Sequence, residues 1–186
     1  MSARQPLTAR EQLRPVLEAI FIGGVFLILL KLWTAFIPWS LSWNTTASIP
    51  EGLYVTERIS ALPAVGDLVC FRYEAPAWAA PRQYFHNGFR LCKHLAGVAG
   101  DRVVQRKGVF YVRNANGHTQ LVGATQRADS SGRPIPQHAL KLGPIPPGQV
   151  VVAAPAHTNS LDSRYLGYVP SDRIRWRIYP VWTFGS

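Results

Sequence analysis

Charge is scarce in this 186-residue chain, and acid is scarcer than base: charged residues make up 16% of it, with 10 Asp and Glu against 20 Lys and Arg. With 47% hydrophobic residues, so little charge excludes a disordered chain. The length allows one domain plus an anchor. Lysine is rare, at positions 31, 93, 107 and 141 only, so the net charge of +10 comes almost wholly from arginine. The arginines are scattered, and no base-stacking or helix-in-groove pattern accompanies them. They read as a surface beside a membrane rather than a nucleic-acid site. Cys70 and Cys92 are the only cysteines, and no Cys/His spacing suits a metal, so neither metal nor cofactor is expected. The chain has no internal repeat and no G-x-S-x-G, which removes the nucleophile elbow of α/β-hydrolases.

The chain does have one long hydrophobic run, from Val16 to Trp43. About 20 apolar residues cross a bilayer as a helix. The run therefore predicts a transmembrane anchor over 16–43, with residues 1–15 as a cytoplasmic tail carrying Arg4, Arg10 and Arg14, and residues 44–186 as an outward-facing domain. Trp33, Trp39 and Trp43 suit the outer interface, and Glu18 the inner headgroups. Lys31 lies inside the run; its stem can snorkel toward the outer interface, or it can meet a partner in the membrane. The run is too long, and its end too bulky, for a cleavable signal peptide.

Beyond Tyr54 the pattern turns to strands. Apolar, β-branched runs at 65–73, 90–96 and 148–154, and a hairpin of 102–106 with 109–113 around Lys107-Gly108, are expected strands. Residues 174–182 alternate and read as a final edge strand. Residues 114–147 are polar, with one weak strand, and 74–89 form a loop with bulky tips: Trp78, Tyr84 and Phe85, which are expected to dip into the bilayer surface. The fold class is mainly β, a partly closed barrel or folded sheet behind one N-terminal transmembrane helix.

The candidate chemistry starts at Ser48, in Asn44-Thr45-Thr46-Ala47-Ser48-Ile49-Pro50-Glu51-Gly52-Leu53-Tyr54. Proline and glycine on its C-terminal side make a bend that can expose the hydroxyl. A serine needs a base. His86, His94, His118, His138 and His157 occur in no pattern that points to a triad, and His157 in particular could be mistaken for the base. A lysine can serve if burial lowers its pKa. Lys93 lies in the apolar strand Leu91-Cys92-Lys93-His94-Leu95-Ala96, with no acid between Glu74 and Asp101. The competing reading is an edge-strand lysine turned to water.

Three stretches, Thr46 to Tyr54, Lys93-His94-Leu95-Ala96-Gly97-Val98-Ala99-Gly100-Asp101 and Asn159-Ser160-Leu161-Asp162-Ser163-Arg164-Tyr165-Leu166-Gly167, resemble in order the three boxes of the type I signal peptidase superfamily. Ser48-Ile49-Pro50 followed by Gly52 and Tyr54 resembles its conjugative-transfer (TraF-type) branch. The resemblance implies a Ser–Lys dyad. Ser48 is the nucleophile and Lys93 the general base. The Ser48 N–H and the Thr46 hydroxyl form the oxyanion hole. Ser160 orients the lysine, and Asp162 with Arg164 forms a structural ion pair. His94 and Ala99 depart from the family's usual Arg and Pro, and Pro155-Ala156-His157-Thr158 from its Gly-Asp.

The implied function is a membrane-anchored serine endopeptidase of the bacterial inner membrane, single-pass, with its catalytic domain in the periplasm. Its substrate would be a pilin or another conjugation or type IV secretion precursor, cut by hydrolysis or resolved by an amine to a cyclic product. Implied partners are the precursor protein, membrane lipid and other proteins of the conjugation apparatus, with no nucleic acid. A general leader peptidase and a non-catalytic membrane scaffold are the alternatives. In an oxidising compartment Cys70 and Cys92, on adjacent strands, can bridge or stay as two buried thiols. Cys92 should point away from the face Lys93 uses.

Overall fold

The computed structural model describes residues 9–36, 39–137 and 139–184, with 9–12 and 34–36 as backbone only. Arg4, most of the expected tail, and His138 lie outside the described residues.

Helix α1, Ala9–Phe36, is apolar over the 21 residues Leu13–Trp33. Every side chain in that stretch is exposed, so the helix is hydrophobic all round. At 1.5 Å per residue the apolar stretch is about 30 Å long, the thickness of a hydrocarbon core. Arg14 and Glu18 pair one turn apart, 2.9 Å between Nε and Oε1, near its start. The helix ends before the apolar run does. Trp39–Asn44 is not helix but strand β1. Pro38 stands between the two elements, and proline neither donates to a helix nor lets the preceding residue stay helical with ease.

Residues from Trp39 onward form a separate unit. Its strands are β1, then β2 Glu51–Arg58, β3 Leu68–Arg72, β4 Arg90–Gly97, β5 Arg102–Arg106, β6 Val109–Arg113, β7 Thr119–Ala124, β8 Gly143–Pro144, β9 Gln149–Ala153, β10 Val169–Pro170 and β11 Ile174–Phe184. A one-turn helix, α2 Ser163–Leu166, follows β9. One sheet runs β1-β2-β11-β3-β4-β9-β10 and a second β7-β6-β5-β8. The pairs between neighbouring strands are antiparallel.

β11 is not an edge strand. It lies between β2 and β3, and the edges are β1 and β10. The alternation of 174–182 suggests an edge strand, and Pro180 cannot donate to a ladder. The register shifts between Pro180 and Trp182, and that irregularity accommodates the missing N–H. Gly52 permits a close approach at the same place: its φ is +141°, and a Cβ there would sit 2.1 Å from the Trp182 carbonyl oxygen.

β3, β4 and β9 supply the main core, with Val69, Phe71, Leu91, Leu95, Val150 and Val152 buried against one another. Cys70 and Cys92 face each other across β3 and β4 and form a disulfide. They lie on the opposite face of β4 from Leu91, Lys93 and Leu95, as strand alternation requires.

Candidate active site

Ser48 sits in the loop joining β1 to β2, whose base is closed by the pair Asn44–Gly52. The loop is held at several points. Ile49 is plugged into a small core with Tyr54, Cys70 and Ile178. The Tyr54 hydroxyl donates to the Pro50 carbonyl at 2.6 Å. Asn44 bonds to Thr46, Ile49 and Pro50. Between these anchors Ser48 lies in a turn, half-buried at the wall of a cavity of about 460 Å³.

Lys93 reaches the same cavity from the buried face of β4, where its neighbours are Leu91 and Leu95. It is 2% exposed. Burial lowers its pKa from 10.5 to about 8, the Asp162 charge pulling it back up and the Arg164 charge pushing it down. The reading of Lys93 as a solvent-facing lysine therefore does not hold. Ser160, 4% exposed, lines the cavity too, and its hydroxyl donates to the Ser48 Oγ at 3.1 Å. The bond from Ser160 runs to the serine rather than to the amine. Thr46 completes the set at the cavity wall; its hydroxyl donates to Asn44 Oδ1 at 2.8 Å. None of the four described histidines lines the cavity. His94 faces the Gly66 carbonyl, 3.1 Å from its Nδ1, and His157 is exposed.

Asp162 and Arg164 are both fully buried and joined bidentately, 2.9 Å for Nε to Oδ1 and 2.9 Å for Nη2 to Oδ2. Asp162 also caps α2 and accepts the Ala154 N–H at 2.9 Å. Arg164 donates to the carbonyls of Ala124 at 2.9 Å and His157 at 2.8 Å. Ser163 takes the Val152 N–H at 2.9 Å. These side chains satisfy β9 amides that no strand reaches, so the short β10 suffices. Gly123 leaves room for the guanidinium: a Cβ there would lie 2.9 Å from Nη1.

The rest of the cavity is built by two loops. Trp78, Tyr84, Phe85 and Phe89 come from one, and Asp129 and Ile135 from the other. The aromatic residues of 74–89 are half-buried toward this cavity, which corrects the expectation that they form an exposed membrane tip. Asp129 clasps the loops together. It accepts from the Tyr84 hydroxyl, from Arg133 Nε at 2.8 Å and from Arg82 Nη1 at 3.4 Å, while Arg82 Nη2 donates to the Pro134 carbonyl at 2.6 Å. The Tyr84 hydroxyl, foremost, holds the Asp129 carboxyl well below the usual range. No sequence signal marks the clasp, since its partners stand 45 residues apart.

The model of the family described as signal peptidase, peptidase S26, matches residues 13–182. The chain belongs to this peptidase family. Relatives of this S26 chain include a probable conjugal transfer protein TraF of Sinorhizobium fredii, 33% identical over 150 residues, 76% of each chain. A plasmid transfer protein TraF of Escherichia coli is 30% identical over 151 residues, 76% of this chain and 82% of its own. The crystal structure of a signal peptidase I of Enterococcus faecalis aligns with a TM-score of 0.36 at 23% identity, over 61% of this chain and 94% of its own. The family match and the TraF relatives together support the TraF-type branch of the S26 peptidases and, with it, a peptidase role. The one long apolar helix among the described residues fits membrane anchoring of such a peptidase.

Proposed function

We propose that this S26 peptidase is a membrane-anchored serine endopeptidase that cuts exported precursors of a conjugation apparatus, with Ser48 and Lys93 as its dyad. The observation that carries this is a buried lysine of lowered pKa lining the cavity that Ser48 lines, with none of the described histidines there. The Lys93 amine, neutral in a useful fraction near pH 8, takes the Ser48 proton as Oγ attacks the scissile carbonyl. Because Ser160 donates to Oγ, the Ser48 proton is left free to point at the amine. The Ser48 N–H and the Thr46 hydroxyl receive the oxyanion. The Lys93 ammonium then protonates the departing amine, leaving an acyl-enzyme, which water or a second amine resolves to a cut or a cyclic product. The conjugation context follows from the names of the TraF relatives.

The aromatic and apolar cavity takes an extended segment of the precursor. Orientation follows the basic residues at the start of the chain, so the catalytic domain is periplasmic and the anchor lies in the inner membrane. The test is mass spectrometry of a pilin precursor incubated with the full chain in proteoliposomes. Cleavage should fall at least about 10³-fold in Ser48→Ala, with the variant still folded and inserted. Normal processing by that variant would remove the dyad. A loss of one water from the mature pilin mass would mark cyclisation.

The membrane-facing surface of the domain is assigned to a patch that includes Trp39 and Trp43, already read as interfacial, rather than to residues 74–89. Trp39, Leu41 and Trp43 of β1 and Val181, Trp182 and Phe184 of β11 are exposed by 46–63%. The Trp43 ring packs against Trp182 and Phe184 at 6.4 and 5.9 Å. So large an aromatic patch on a domain that follows a membrane helix reads as lipid-facing. Trp182→Ser with Phe184→Ser should lower kcat/KM about tenfold on a bilayer-embedded precursor and leave a detergent-dissolved peptide unaffected. Equal losses on both substrates would mean that the patch serves folding instead.

A further inference from the structure

Asn44 carries no role in the family reading, yet its carboxamide is the most connected side chain of the nucleophile loop. Oδ1 accepts from the Thr46 N–H at 3.2 Å and the Thr46 hydroxyl at 2.8 Å. Nδ2 donates to the carbonyls of Thr46 at 2.8 Å, Ile49 at 3.1 Å and Pro50 at 3.0 Å. Only an amide side chain offers a two-lone-pair acceptor and an NH₂ donor from one planar group. Aspartate would set a charge against three carbonyls, and serine is too short to span the loop.

We infer that Asn44 is a positioning residue for the oxyanion hole, fixing the Thr46 side chain and holding its hydroxyl proton until negative charge develops. This rests on Ser48 as nucleophile and Thr46 as oxyanion donor. In the free protein the Thr46 O–H is already satisfied by a neutral amide oxygen. A ground-state carbonyl is also neutral and has no advantage over Asn44. A tetrahedral oxyanion does, because a charge-assisted bond is roughly twice as strong as a neutral one. The hydroxyl therefore turns to the substrate only in the transition state, so its stabilisation enters kcat rather than KM. Removing Asn44 frees the Thr46 side chain to rotate, and the donor is no longer aimed.

A double-mutant cycle on the full chain in detergent micelles tests this, with p-nitrophenyl butyrate as the acyl donor and Ser48→Ala subtracted as background. Thr46→Val should lower kcat about 100-fold, in line with loss of one oxyanion donor, and Asn44→Ala about 10- to 100-fold, each with KM within twofold. The double variant should fall within threefold of Thr46→Val alone, because Asn44 acts through Thr46. If Asn44→Ala gives no folded protein, the same cycle is run with Asn44→Gln, which keeps a neutral amide but moves its oxygen away from Thr46 by one methylene, and the same non-additivity is expected. Multiplying losses, a changed KM, or wild-type kcat in either single variant would overturn the inference while leaving the dyad standing. Ester turnover no faster than that of Ser48→Ala would sink the dyad reading and this inference with it.

Discussion

Lys93→Met is expected to abolish precursor cleavage and at the same time make the domain more stable. The folded chain holds the Lys93 ammonium in a dry site, which lowers its pKa from 10.5 to about 8. A fall of that size corresponds to roughly 3 kcal/mol of penalty against the charged form. The sign follows from linkage. Between about pH 8 and 10.5 the unfolded chain keeps the proton and the folded chain has released it, so stability rises with pH across that window. Below about 8 the penalty is present in full. Methionine fills the same space without charge, so at pH 7 it should add about 1–3 kcal/mol, or about 5 °C in thermal midpoint. Denaturant titrations of both proteins at pH 7 and pH 10 would show the wild type approaching the variant at the higher pH. Parallel curves at the two pH values would contradict a buried ammonium at position 93. The cleavage rate of the wild type should rise toward a plateau above about pH 8, as the neutral amine becomes the main form.

Asp162→Ala is expected to cost about 3–5 kcal/mol, because it leaves the Arg164 guanidinium buried without its counter-charge. Arg164 is 0% exposed and would keep only carbonyl partners, chiefly those of Ala124 and His157. The loss would also free the Ala154 amide and uncap α2. A urea midpoint is the direct measurement, and a cost under about 1 kcal/mol would mean that water enters and solvates the arginine. The folded fraction carries a second readout. The Asp162 charge raises the Lys93 pKa, so its removal should move the pH–rate profile of surviving enzyme to lower pH. A profile that stays in place would separate the ion pair from the chemistry.

The parts of this domain legible in the chain are those whose signal is local. The apolar run announces the long apolar helix, the Lys107-Gly108 hairpin is found where its turn residues put it, and alternation in β4 puts Cys92 on the face opposite Lys93. The boundary of the anchor was not legible, because Trp39 and Trp43 are as suitable for a bilayer interface as for an exposed sheet edge. β2 went unread because Pro50 and Gly52 mark its start as a bend, although its burial alternates along Glu51–Arg58 and it pairs with β1 and β11. The Cys70–Cys92 bond was open because it depends on register, which places the two residues directly opposite. For the site, the three boxes brought Ser48, Lys93 and Ser160 into view, and the fold brings them to one cavity. Asn44, Ser163 and the Tyr84–Asp129 clasp escaped because each acts through hydrogen bonds that exist only once the loops are placed.

The position of β11 has a temporal consequence. The hairpin that bears Ser48 and the hairpin that bears Lys93 share no ladder of their own; the final strand of the chain is the plank between them. Until that strand is in place, the two hairpins are linked by residues 59–67 and by the packing of Ile49 and Tyr54 on Cys70, and the seven-stranded sheet stays in two parts. The sheet becomes continuous only when residues 174–184 pair with both β2 and β3.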